Sequence, residues 1–218
     1  MWPVYRYLSP RQVPEELALK KIAIIDYGAG NLNSVERGLA YIRMPGFITG
    51  DPGEIEAADA LVLPGVGAFE AGMRRVEPLN KVILERVDTG VPLLGICLGM
   101  QMFYDSSEEN GIHRGLKIVP GTITRFPNTL KVPHMGWNSL SMQQKHPLLK
   151  DIPEGSYVYF VHSYRAGVTG NTVASSDYGG AFTAIVANEA GNAVGTQFHP
   201  EKSGTVGLKM LKNFAEMI

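Results

Sequence analysis

A single cysteine stands in the 218 residues, and its surroundings give it chemical interest. Cys97 lies in Gly95-Ile96-Cys97-Leu98-Gly99-Met100-Gln101, where the apolar run Val91-Pro92-Leu93-Leu94 leads into a segment of helical character. Small residues two positions to either side permit a sharp strand-to-helix turn that exposes the side chain and gathers amides around it. A thiol at a helix N-terminus also gives up its proton more readily, because the helix end favours the thiolate. Without that context a cysteine in an apolar run reads as a small buried hydrophobe. With it, Cys97 is a candidate nucleophile.

A thiolate needs a proton carrier, and the chain has five histidines: His113, His134, His146, His162 and His199. His199 ends the strand-like run Ala193-Val194-Gly195-Thr196-Gln197-Phe198, Pro200 discourages continuation, and Glu201 follows two residues later. An extended His-x-Glu segment points both side chains to one side, so Glu201 is expected to orient the imidazole while His199 serves Cys97. A metal site or a surface salt bridge could use the same pair. Metal is disfavoured, since there is no second cysteine and the other histidines are dispersed.

The elements that must position these residues read as an α/β pattern. Ile22-Ala23-Ile24-Ile25 is a continuous apolar run, as expected of a strand buried on both faces of a parallel sheet. It leads through Asp26-Tyr27-Gly28-Ala29-Gly30-Asn31 into Leu32, Val35, Leu39 and Ile42 at helical spacing. The unit recurs at Ala60-Leu61-Val62-Leu63, with one helix expected to carry Phe69, Met73, Val76, Leu79, Val82, Ile83 and Val87, and again at the cysteine segment. Three such units predict a central, mostly parallel sheet flanked by helices. The second half is richer in β-prone pieces, at residues 121–126, 157–161, 172–175, 183–187 and 193–198, whose antiparallel pairing would make the sheet mixed. A terminal helix carries Val206, Leu208, Met210, Leu211, Phe214, Met217 and Ile218. Residues 21–218 thus read as one domain, preceded by an N-terminal extension over residues 1–20 that holds three prolines and no sustained period.

Composition narrows the function classes. With 44% hydrophobic and 19% charged residues the chain can build a sizeable core, which excludes disorder and disulfide-stapled minimal folds. Twenty basic against twenty-one acidic residues leave a net charge of -1, no footprint for a nucleic-acid partner. One cysteine, no recognisable signal peptide and no eighteen-residue apolar run point to the cytoplasm and away from a membrane. Gly28-Ala29-Gly30 fails as a dinucleotide fingerprint because Asn33 stands where the third glycine belongs, which argues against a nucleotide-binding oxidoreductase, and chemistry on a cysteine nucleophile needs no nicotinamide, flavin, metal or other cofactor.

Taken together, these residues resemble a known family. The segment Gly95 to Gln101 with Phe198-His199-Pro200-Glu201 is similar to the class I, or triad, glutamine amidotransferases. Asp26-Tyr27-Gly28-Ala29-Gly30-Asn31-Leu32, Leu63-Pro64-Gly65-Val66-Gly67, Pro133-His134-Met135-Gly136-Trp137-Asn138, Tyr159-Phe160-Val161-His162-Ser163-Tyr164 and His199-Pro200-Glu201-Lys202-Ser203-Gly204 look like the glutaminase subunits of imidazole glycerol phosphate synthases. Singly the cysteine motif marks only the broad family; jointly the segments are close to diagnostic.

The resemblance implies the single-domain, three-layer α/β fold of that family and release of ammonia from L-glutamine. Cys97 would attack the side-chain amide, His199 would move protons, and Glu201 would hold His199. The oxyanion hole would be formed by the backbone N–H of Leu98 and the Gly65-Val66 peptide region, a loop associated in the family with a non-productive arrangement that partner or ligand signals rearrange. Gln101 would help to hold the substrate. Ammonia would pass to a (β/α)₈-barrel cyclase subunit in a heterodimer, which a chain of 218 residues cannot contain beside this domain, since such a barrel needs roughly 250. Met135, Trp137, Tyr159, His162, Tyr164 and Lys202 would belong to the partner interface or its signalling. Read as single residues, Met135 and Trp137 suggest core, His162 a satisfied structural histidine and Lys202 a solvated charge. Two other readings keep the fold: a glutaminase serving another biosynthetic synthase, and a catalytically silent regulatory subunit. The extension before Lys21 departs from the family, whose members begin close to the first strand.

Overall fold

The computed structural model describes residues 20–218. The expected extension lies outside the described residues except for Lys20. The first half alternates strands and helices: β1 (Ile22–Ile25), α1 (Leu32–Tyr41), β2 (Gly46–Thr49), α2 (Pro52–Glu56), β3 (Ala60–Gly65), α3 (Phe69–Val76), α4 (Asn80–Asp88), β4 (Leu93–Cys97) and α5 (Leu98–Gln101). Ten strands follow: β5 (Ser106–Ser107), β6 (His113–Arg114), β7 (Thr122–Arg125), β8 (His134–Ser139), β9 (Ser141–Met142), β10 (Tyr157–His162), β11 (Tyr164–Ala166), β12 (Thr172–Asp177), β13 (Ala181–Ala187) and β14 (Ala193–Thr196). The helix α6 (Gly204–Ala215) closes the chain.

The main sheet has the order β2-β1-β3-β4-β14-β13-β12-β9. Its first five strands are parallel and the last three antiparallel, so the expected mixed, mostly parallel sheet is present. The continuous apolar runs are explained by the two-residue period of a strand. Ile22, Ile24, Val62, Leu94 and Ile96 face one core, shared with Val35 and Leu39 of α1 and Met210, Leu211 and Phe214 of α6. Ala23, Ile25, Leu61, Leu63 and Leu93 face the other, shared with Ile55 of α2, Phe69 and Val76 of α3 and Ile83 and Val87 of α4. A strand with helices on both faces has no solvent side, hence no polar alternation.

Two expectations are corrected, and two elements lie where periodicity gave no reading. The single helix expected from Phe69 to Val87 is two, joined by a 3-10 turn over Glu77–Leu79; Pro78 has no N–H to continue the ladder and its ring crowds the preceding turn. The β-prone pieces at residues 121–126 and 157–161 do not extend the main sheet. They lie in a four-stranded sheet β11-β7-β5-β6 and in an antiparallel pair β10-β8, because local propensity says that a segment is extended and nothing about its partner. The strand β2 and the short helix α2, which Asp51 caps by accepting from Glu54 N at 2.9 Å, carry too few residues to be read from periodicity. Among the described residues no helix is long and apolar enough to cross a membrane.

Candidate active site

Cys97 closes β4 and immediately precedes α5, with φ 55° and ψ -106°. A non-glycine residue is rarely found there, and it stays only where its neighbours dictate it. They do so by closeness: a Cβ on Gly99 would lie 1.8 Å from the Leu63 carbonyl oxygen, and one on Gly95 would lie 2.6 Å from Phe103 Cζ. The expected sharp strand-to-helix turn is thus built from glycines that let α5 press onto β3 and β4. The flanking strands bring the rest of the site to the same carboxyl end, with Gly65 of β3 paired to Cys97 and Thr196 of β14 paired to Ile96. The chain leaving β14 reaches His199 three residues later.

His199 Nδ1 lies 2.8 Å from Glu201 Oε1, and the two side chains are only 3% and 1% exposed. The contact is as expected, but the segment is not extended: Pro200–Lys202 is a 3-10 turn. The turn is pinned by Ser203 Oγ, which donates to His199 O at 2.6 Å and accepts from Tyr159 N at 3.0 Å, while His199 N donates to Tyr159 O at 3.1 Å. With Nδ1 committed to the carboxylate, Nε2 is the ring nitrogen left for Cys97, whose side chain interacts with the imidazole. Burial pulls the His199 pKa down, yet the hydrogen bonds and charges of Cys97 and Glu201 outweigh it and hold the value up at about 9. His199 therefore carries its proton at neutral pH, the state that can neutralise a sulfur anion and then protonate a leaving group.

The candidate oxyanion groups flank the Cys97 turn. Leu98 is buried at the start of α5, and Gly65 is so close to it that a Cβ would lie 2.8 Å from Gly99 N, Leu98 Cβ and Tyr27 Oη. Tyr27 donates to Pro64 O at 2.7 Å and so anchors the end of β3. Val66, next along, is 45% exposed, and Gly67 has φ +99°. Gln101 is buried; its Nε2 donates to Tyr164 O and to Gln197 Oε1, both at 3.0 Å. Sequence reasoning passed over Gln197, which is fully buried with Nε2 3.8 Å from Cys97 Sγ. An amide in the strand-like run Val194 to Phe198, between the equally buried Thr196 and Phe198, was the available signal, since a buried polar group needs a partner.

The model of the family described as glutamine amidotransferase class-I matches residues 23–218. The chain is a member of this family. The imidazole glycerol phosphate synthase subunit HisH of Methanosarcina acetivorans is 55% identical over 201 residues, covering 91% of this chain and 100% of that relative. Those of Halobacterium salinarum and Oceanobacillus iheyensis are 52% and 49% identical, over 89% and 90% of this chain and 92% and 99% of their own. These relatives narrow the membership to the HisH type. Among solved structures, PurLQS from Thermotoga maritima aligns with TM-score 0.71 at 17% identity over 90% of this chain and 98% of that one. The CTPS glutaminase domain of Trypanosoma brucei gives 0.63 at 14%, over 90% and 94%. At such identities these two attest the fold alone.

In this glutamine amidotransferase the β8-β10 pair lies next to the site. Met135 and Trp137 on β8 are 64% and 55% exposed, so the core assignment made from the residues singly is wrong. The β8 period decides it: His134 faces in, Met135 and Trp137 face out. Trp137 meets the ring of Tyr159 edge-on, with centroids 6.0 Å apart, and Lys202 is exposed nearby in sequence to α6. His162 is buried and satisfied, as its single-residue reading expected. Its Nδ1 donates to Tyr164 O at 2.8 Å, so in the neutral ring Nε2 accepts from His134 Nδ1 at 3.0 Å. Burial lowers both histidines, His162 to about 3, so the pair is neutral. Among the described residues no group of three or more His, Cys, Asp or Glu side chains forms a metal-binding set.

Proposed function

We propose that residues 21–218 form a domain that hydrolyses L-glutamine through Cys97, His199 and Glu201 and delivers the ammonia to a (β/α)₈-barrel cyclase in histidine biosynthesis. Sulfur attacks the δ-carbonyl carbon, and the C–N bond breaks as His199 gives its proton to the nitrogen, releasing ammonia and leaving a glutamyl thioester. Water then adds to the thioester, His199 takes its proton, and the C–S bond breaks to give glutamate and the free nucleophile. Each addition places charge on the carbonyl oxygen, for which the Leu98 N–H and the Gly65-Val66 peptide are the assigned donors and Gln101 helps hold the substrate. Glu201 keeps the His199 tautomer and its charge.

The observation that carries this reading is the close set of Cys97, His199 and Glu201 at the carboxyl ends of β4 and β14. The exposed Met135 and Trp137, with Tyr159, Tyr164 and Lys202 on adjoining segments and His162 beneath, are assigned to partner docking and its signalling. An apolar patch beside a site that must hand over a neutral, easily protonated product suits an interface that excludes water. A free thiol as nucleophile fits a reducing compartment, the cytoplasm.

The test mixes this chain with a matching cyclase and its nucleotide substrate. Glutamine-dependent formation of imidazole glycerol phosphate is expected, abolished by Cys97→Ala while added ammonium still drives the cyclase. A complex that turns over with ammonium and never with glutamine would overturn the proposal.

A further inference from the structure

Besides His199, the sulfur of Cys97 has a second nitrogen neighbour, the amide of Gln197. The direction of that amide follows from its partners. Tyr164 O only accepts, so the Gln101 atom 3.0 Å from it is the donor Nε2. That same Nε2 also meets Gln197 at 3.0 Å, so Gln197 presents Oε1 there. Its Nε2 is then turned to the sulfur, 3.8 Å away. The chain of donors starts at a main-chain carbonyl, which also accepts from His162 Nδ1 at 2.8 Å, and ends on the nucleophile. Gln197 is fully buried and Gln101 nearly so, and an N–H aimed at an anion is strengthened where water is excluded.

We infer that Gln197 is a positioning residue for the nucleophile: its amide N–H, held by Gln101 and the Tyr164 carbonyl, stabilises the Cys97 thiolate and sets the aim of the sulfur. The inference rests on Cys97 being the nucleophile of the proposed function. The other groups around the sulfur are accounted for. His199, backed by Glu201, is its proton partner. The Val161 carbonyl of β10 accepts from the thiol at 3.9 Å and cannot serve an anion. Tyr27, with Arg75 beyond it, donates its hydroxyl hydrogen bond to Pro64 O, and burial and then Cys97 keep the phenol protonated. His162 is neutral and spends its N–H on Tyr164 O. Gln197 is thus the neutral side-chain donor on the sulfur, and its charge does not change with pH.

Because Cys97 is the only thiol of the chain, alkylation by iodoacetamide reads its thiolate without interference. Gln197→Met keeps the side-chain length and removes the donor. With an unchanged Tm, its alkylation midpoint is expected to move to higher pH, its rate at pH 7 to fall about tenfold, and the glutamine-dependent kcat to fall with KM little changed. An unmoved midpoint and rate in the folded variant overturn the inference. A second readout uses the wild-type full chain labelled with ¹⁵N-glutamine. One side-chain amide is expected to shift with the alkylation midpoint and to be flat in Cys97→Ala; a spectrum with no such amide overturns the inference even if Gln197→Met does not fold. Neither readout requires turnover, so failure of the wild type to release ammonia counts against the proposed function and an unmoved midpoint against Gln197 alone.

Discussion

His199 sits between a sulfur and a carboxylate, and both govern its proton. Glu201 touches it at 2.8 Å with almost no access to water, so the pair is hardly screened. Glu201→Gln keeps the shape and removes the charge, and the His199 pKa is expected to fall from about 9 by an amount that an NMR titration of the imidazole reads directly. Glutamine hydrolysis in the complex should drop on the order of 10²-fold, since the proton carrier loses both tautomer and charge. A His199 titration unchanged by the substitution would remove Glu201 from the proposed triad. At this scale the meeting of Cys97, His199 and Glu201 was legible because the chemistry proposed for them demands particular residue types. Gln197 was not, because its role depends on which way a fully buried amide faces.

The elements act through their closeness. The one-turn helix α5 is far too short to be stable alone and exists because glycines let it lie against β3 and β4. Gly99→Ala drives a Cβ to 1.8 Å from the Leu63 carbonyl oxygen, a main-chain atom that cannot step aside. The expected cost is on the order of 4 kcal/mol or more, a fall in Tm of roughly 10 °C, with the elbow conformation of Cys97 lost. Gly67→Ala is the contrast: its Cβ meets nothing within 4 Å, and only φ +99° opposes it. Roughly 1–2 kcal/mol is expected there. Thermal melts of the two variants decide between steric and conformational control. Equal losses would show that the elbow glycines are not special.

Over the whole molecule, two buried histidines set opposite slopes of stability with pH. His199 binds its proton more tightly folded, at about 9, than at its ordinary 6.5, so its contribution is complete below about pH 6.5 and is lost as pH rises through about 9. His162 is held down to about 3, so the unfolded chain takes up a proton that the native state refuses, and stability falls as pH drops from about 6.5 towards 3. Burial lowers His134 and His146 in the same direction. Tm is therefore expected to peak near neutrality, with the alkaline fall shallower in Cys97→Ala, which lacks one of the two groups that raise His199. Melting curves from pH 4 to 10 check this, and a Tm still rising through pH 8 contradicts it. What the sequence determined by itself was periodic and chemical: runs such as Ile22 to Ile25 that must be buried on both faces, the turn at Cys97, and a histidine followed two residues later by a glutamate. Local covalent spacing carries such information. The tertiary structure alone decided that Met135 and Trp137 face out, that β7 and β10 leave the main sheet, that Pro200–Lys202 turns instead of extending, and that Gln197 points at the sulfur. Each of those depends on a partner distant in sequence, and burial and hydrogen bonding are properties of the pair, not of either residue.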